Sequence, residues 1–109
     1  MISAPIASLE KLLGTPRDGA LLRYSLGVEH AKAGELERAI GYLRDAVTRD
    51  ALYSAAWKAL GKALLDAGRA EQALEAFRCG IEAARKKGDR QAEKEMAVFS
   101  RRIERSRAP

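Results

Sequence analysis

The chain contains no asparagine, one histidine, one cysteine and three prolines, and its aromatic content is 6%. Each shortage removes a class of protein. Cys79 has no partner for an intramolecular disulfide, so nothing points to an oxidising compartment and the reduced cytoplasm is the expected location. His30 and Cys79 are far apart in sequence, which gives no metal-ligand spacing and no neighbouring base to activate the thiol. Neither a metal nor an organic cofactor is expected. Gly61 and Lys62 are followed by Ala63, so the Gly-Lys-Ser/Thr ending of a phosphate loop is absent. No apolar run approaches the roughly 18 residues that a membrane span requires. Residues 1–14 carry no basic leader, and Glu10 and Lys11 interrupt their apolar side chains, so no secretory signal is expected there. Sheet-forming residues are thin throughout, which leaves little material for strands.

What remains is an alanine- and leucine-rich chain of 109 residues, 47% apolar, which is enough for one domain with a real core. Its net charge of +5 is unevenly placed. Residues 1–84 nearly balance, and the excess lies where Arg85, Lys86, Lys87, Arg90, Lys94, Arg101, Arg102, Arg105 and Arg107 outnumber Asp89, Glu93, Glu95 and Glu104. Such a tail can attract nucleic acid, an anionic surface or an acidic protein, because long-range attraction follows charge rather than fold. The interleaved glutamates also fit a solvated helix face.

Hydrophobic periodicity predicts six helices. Ile6, Leu9, Leu12 and Leu13 recur at helical spacing until Gly14 and Pro16 end the segment. A second helix runs from near Asp18 to Ala33, burying Leu22, Leu26 and His30, with Gly34 as its stop. Glu35 and Glu37 open a third, whose apolar face is Leu36, Ala39, Ile40, Leu43 and Val47. Tyr53 to Ala67 forms the fourth, anchored by Trp57, Leu60 and Leu64, and about Arg69 to Lys87 the fifth, with Ala73, Leu74, Phe77 and Ile81 inward. After Gly88, Asp89 caps a last helix with a narrow stripe of Ala92, Met96, Phe99 and Ile103. The reading is a single all-α domain.

The middle of the chain repeats itself. Leu26, Gly27, Ala33, Gly34, Glu37, Ala39 and Arg44 return 34 residues later as Leu60, Gly61, Ala67, Gly68, Glu71, Ala73 and Arg78. With Ser54 as first position, Trp57, Leu60, Gly61, Leu64, Ala73 and Phe77 fall where the tetratricopeptide repeat has its Trp, Leu, Gly, aromatic, Ala and Phe. The two units therefore resemble that family. The first unit departs at Arg23, in place of Trp, at Leu43, in place of Phe, and at Ala51, in place of the terminal Pro. In the second, Gly80 replaces an Ala and Arg85 the Pro.

The resemblance implies a helical-hairpin repeat array: a half-repeat helix within 1–17, repeats over 20–53 and 54–87, and a capping helix over 89–106. It implies a core built on Leu26, Gly27, Ala39, Leu43, Trp57, Leu60, Gly61, Leu64, Ala73 and Phe77. It also implies a non-catalytic scaffold, in which the first helices of successive repeats line a groove for a peptide or helix of a protein partner. Carried over by position, that groove would be lined by Leu21, Tyr24, Val28 and Lys32, then by Ala55, Lys58, Lys62 and Leu65. Some family members grip acidic chaperone termini with Lys, Arg and Asn. Without asparagine the expectation here is looser, with Lys58 and Lys62 attracting an acidic segment while Tyr24, Val28 and Leu65 supply apolar contact. The alternatives are nucleic-acid or anionic-surface binding through Arg101, Arg102, Arg105 and Arg107, and homo-oligomerisation through Met96, Val98 and Phe99. His30, at an aromatic position of the repeat, is expected to pack rather than to act as a base.

Overall fold

A computed structural model describes residues 4–107. It comprises α1 (Ala4–Glu10), α2 (Ala20–Lys32), α3 (Leu36–Arg49), α4 (Ser54–Asp66), α5 (Ala70–Lys87) and α6 (Arg90–Arg107), with no strand among the described residues. None of these helices is long and apolar enough to cross a membrane. α2 packs on α3 and α4 on α5 as two hairpins, α3 joins them to α4, and α6 packs on α5. α4 also touches α2 and α6, so these three alternate helices share one side of the molecule.

Both hairpins turn in the same way. Gly34 and Gly68 each take φ +78°, a left-handed conformation that side chains with a Cβ rarely adopt. The amide that follows each glycine closes the helix end, Glu35 donating to the His30 carbonyl and Arg69 to the Leu64 carbonyl, both at 2.9 Å. The residues one position further on then start the next helix. α6 opens with a side-chain cap, since the Ala92 amide donates to Asp89 Oδ1 at 3.1 Å. Asp89 Oδ2 accepts a second bond from the buried Ser54 hydroxyl at 3.2 Å, which ties α6 to the start of α4.

The paired glycines set the distance within each hairpin. A Cβ on Gly61 would lie 2.5 Å from the ring of Phe77, and a Cβ on Gly27 would collide with Leu43 in the same relation one repeat earlier. Leu43 thus fills the place of Phe77 with less volume, and both are fully buried. Gly80 has a similar cause, because a Cβ there would collide with Met96 and lie 2.7 Å from Trp57 Cβ. The main cluster runs from Ala39 through Leu60, Leu64, Phe77 and Met96 to Ile103. A smaller one joins Ile6, Leu22 and Leu26 and is flanked by Leu9, Leu12, Leu13 and Tyr42.

Trp57 and the first helix depart from the sequence reading. Trp57 is only half-buried: its body packs on the core, while Nε1 donates to the Ala51 carbonyl at 2.8 Å. α1 ends at Glu10 rather than continuing through Leu13. Residues 11–17 form successive turns, in which Thr15 Oγ1 donates to the Leu12 carbonyl at 2.5 Å and Asp18 Oδ2 accepts the Gly14 amide at 2.9 Å. These side chains offer the backbone partners other than a continued helix.

Arg23 stands where the second repeat has Trp57. Instead of an indole against a preceding hairpin, its guanidinium grips Asp18 through Nε at 3.0 Å and a terminal nitrogen at 2.9 Å, and reaches Asp45 on α3 at 3.1 Å. The Arg23 contact, followed by the Gly14 amide, holds the Asp18 carboxyl well below the usual carboxylate range. A carboxyl lowered in the folded state contributes stability above its unfolded value, ~3.9, and that contribution fades as pH falls towards the folded value. Asp18→Asn is therefore expected to flatten the fall in urea midpoint between neutral pH and the acid range below ~3.9. A variant whose midpoint falls as steeply as that of the parent would show that the clamp has no such role.

Candidate functional site

α2 and α4 leave an open cleft of about 370 Å³ between them. Tyr24, Val28, Ala31 and Lys32 line it from α2; Ala55, Lys58, Ala59, Lys62, Ala63 and Asp66 line it from α4. Each set lies at helical spacing, so one face of each helix supplies a wall. The floor owes its depth to alanine: Ala55, Ala59 and Ala63 succeed one another every fourth residue, and their short side chains leave the space empty. The two tyrosine rings at one end pack at 5.0 Å and 40°, Tyr24 against Tyr53. Burial, and then Tyr24, push the Tyr53 hydroxyl above its ordinary range.

Tyr24, Val28, Lys32, Ala55, Lys58 and Lys62 are brought together in this cleft. Leu21 and Leu65 are not among its walls. Leu21 lies at the start of α2, 69% exposed, and Leu65 turns towards the core. The lysines also differ from one another. Lys58 Nζ is 3.0 Å from Glu95 Oε1 on α6, so an internal carboxylate already neutralises it. Lys32 meets Glu29 loosely at 3.6 Å. Lys62 Nζ lies 5.9 Å from the centroid of Phe99, and the Arg102 guanidinium lies 6.0 Å from that same ring.

α6 thus contributes Glu95, Phe99 and Arg102 beside the cleft wall, a contribution the sequence reading missed. They sit four and then three residues apart, a signal present in the sequence but assigned there to packing and to the basic tail. Phe99 belongs to both: its ring stacks on the buried Phe77 at 5.2 Å and 6°. Other members of the basic tail are occupied as well. Arg85 pairs with Glu93 at 2.8 Å and Arg107 with Glu71 at 2.5 Å, while Arg101, Arg102 and Arg105 are exposed. Met96 is fully buried within its own chain and has no surface to offer a second copy; Val98 is 37% exposed.

The residues with chemical potential lie elsewhere. His30 is 1% exposed and its ring stacks on Tyr42 at 5.4 Å and 16°, out of reach of a substrate. The Cys79 thiol is pushed up by burial and then by Glu75, the opposite of an activated nucleophile. Among the described residues no three His, Cys, Asp or Glu side chains gather as metal ligands would.

Two stacked helical hairpins with matched glycine turns, a short helix before and a long one after, define a helical-repeat scaffold. The comparisons with known proteins agree. The family model of the bacterial transcriptional activator domain, a related fold, matches residues 17–104. A tetratricopeptide repeat-containing protein of Pseudomonas aeruginosa is 47% identical over 102 residues, covering 94% of this chain and 97% of its own. The solution structure of a Bordetella parapertussis protein superposes with a TM-score of 0.82 at 39% identity, over 95% of this chain and 90% of that one. The crystal structure of a tetratricopeptide repeat domain protein from Salinibacter ruber gives 0.74 at 28% identity, over 80% and 97%. The chain belongs to the tetratricopeptide repeat family. Proteins of this fold generally mediate protein–protein interaction.

Proposed function

We infer that this protein is a non-catalytic scaffold that holds an acidic peptide or helical segment of a protein partner in the cleft between α2 and α4. The observation that carries the reading is the cleft itself: an alanine floor, a tyrosine end, and Lys32, Lys58 and Lys62 on its walls. Apolar floor and aromatic end supply contact area, and the ammonium groups select the sign of the ligand.

The test is a titration of isotopically labelled protein with short acidic, neutral and basic peptides, followed through backbone amide shifts. Acidic peptides are expected to perturb Tyr24, Val28 and Ala59 saturably, and Lys58→Glu/Lys62→Glu to weaken that binding by about tenfold or more, a change of ~1.4 kcal/mol. Unchanged affinity in the double variant would sink the assignment. A second reading draws on the exposed bases at the α5–α6 turn, Lys86, Lys87, Arg90 and Lys94, which suit an anionic surface such as nucleic acid. It requires shifts confined to that turn and a steep loss of binding with salt.

A further inference from the structure

We propose that the part of the cleft that reads negative charge is not the lysine pair of α4 but Lys62 together with Arg102 of α6, gathered on the Phe99 ring, and that this pair takes a carboxylate of the partner segment. The proposal rests on the reading above and assigns the charge recognition within it. Lys58 is the weaker candidate, because Glu95 sits 3.0 Å from its ammonium and an incoming carboxylate would have to displace an existing one. Lys62 and Arg102 have no carboxylate within ion-pair distance among the described residues. Both instead lie within 6.0 Å of one aromatic centroid.

That ring is not free to wander. Phe99 stacks on Phe77, which is fully buried and faces Gly61 across the α4–α5 hairpin, so the core fixes the platform on which the two cations rest. Ring attraction positions cations without neutralising them, which leaves both charges available to a ligand. Arg102 adds a planar fork that suits a carboxylate bidentately, and Lys62 a point charge beside it. The acid nearest in sequence on this face of α4 is Asp66, one turn beyond Lys62 and also on the cleft wall. It repels a ligand carboxylate from that end and leaves the α6 side as the favoured approach.

The experiment uses the whole chain and two short amidated peptides, one carrying glutamates among leucines and the other glutamines at the same positions. The glutamate peptide is expected to bind about tenfold more tightly than its glutamine counterpart. Arg102→Gln should reduce that preference to about twofold or less while leaving affinity for the glutamine peptide unchanged, and Arg102→Lys should restore part of it. Arg105→Gln, an exposed change on the same helix, should leave the preference intact. Undisturbed amide dispersion in each variant shows that the fold persists, as expected for exposed positions. If Arg102→Gln keeps the full preference while shifts still map to Tyr24 and Val28, the Lys62–Arg102 assignment is overturned and the cleft reading stands. An equal loss in Arg105→Gln overturns it too, since diffuse tail charge would then carry the preference. If neither peptide shifts Tyr24 or Val28, the cleft reading itself falls.

Discussion

Replacing Phe77 by alanine is expected to lower the unfolding free energy by about 3–5 kcal/mol, measured as a shift in urea midpoint at constant slope. Phe77 is fully buried, closes against Gly61 on α4, and carries the stacked ring of Phe99 from α6. Its removal leaves a cavity where three helices meet, and close packing on several sides limits how far they can collapse into it. A loss of that size is a large share of the roughly 5–15 kcal/mol that holds such a domain together. Trp57→Ala should cost less despite the larger side chain, because half-burial means less surface is returned to water. If Trp57→Ala proved the more damaging of the two, the centre of the stack would have to be moved from α5 to α4.

Gly61→Val should destabilise by about 1–3 kcal/mol through overpacking. The first carbon of any side chain at this position falls 2.5 Å from a ring atom of Phe77, closer than packed carbons come, and the valine methyls add to the collision. Combining the two changes separates crowding from any intrinsic dislike of valine in a helix. In a Phe77→Ala background the ring is gone, and Gly61→Val should become nearly harmless, giving a coupling of about 1–3 kcal/mol in a double-mutant cycle. Additive effects would mean that Gly61 is kept small for some reason other than Phe77.

The same glycine explains why the fold was legible in the sequence. A spacing of 34 residues that returns a small residue opposite a large one, twice, constrains both helix pairing and the distance between paired helices. Gly34 and Gly68 mark where each pair turns, and local backbone geometry makes that signal nearly independent of context. The end of α1 was less legible. Leu12 and Leu13 keep helical spacing, whereas the turns that follow α1 include the bond from the Gly14 amide to the Asp18 carboxylate, which Arg23 also holds from α2.

Lining positions of the cleft could be projected because each is set by its own helix. Tyr24, Val28, Lys58 and Lys62 recur on single faces, and the facing of a helix follows once its buried side is known. Partnerships across helices were another matter. Lys58 meets Glu95 at a separation of 37 residues, and nothing in the local pattern marks which of several glutamates would arrive there. Leu65 illustrates the same limit from the other side. It shares a helix with the cleft lysines, but is half-buried against the core cluster and is not among the residues that line the cleft.

Arg23 bears on a property of the molecule that neither cleft nor core addresses, which is how far the stack can grow. Repeat arrays lengthen by laying one hairpin on the flank of the next, and an indole at this position offers a dry surface for that addition. Here the same position presents a guanidinium locked between Asp18 and Asp45. To dock another hairpin there, the stack would have to cover an ion cluster whose Asp45 side chain is still 52% exposed, with less apolar area gained in return than an indole would give. The flank before α2, where α1 already packs, is therefore a poorer landing surface for a further hairpin than the indole it replaces.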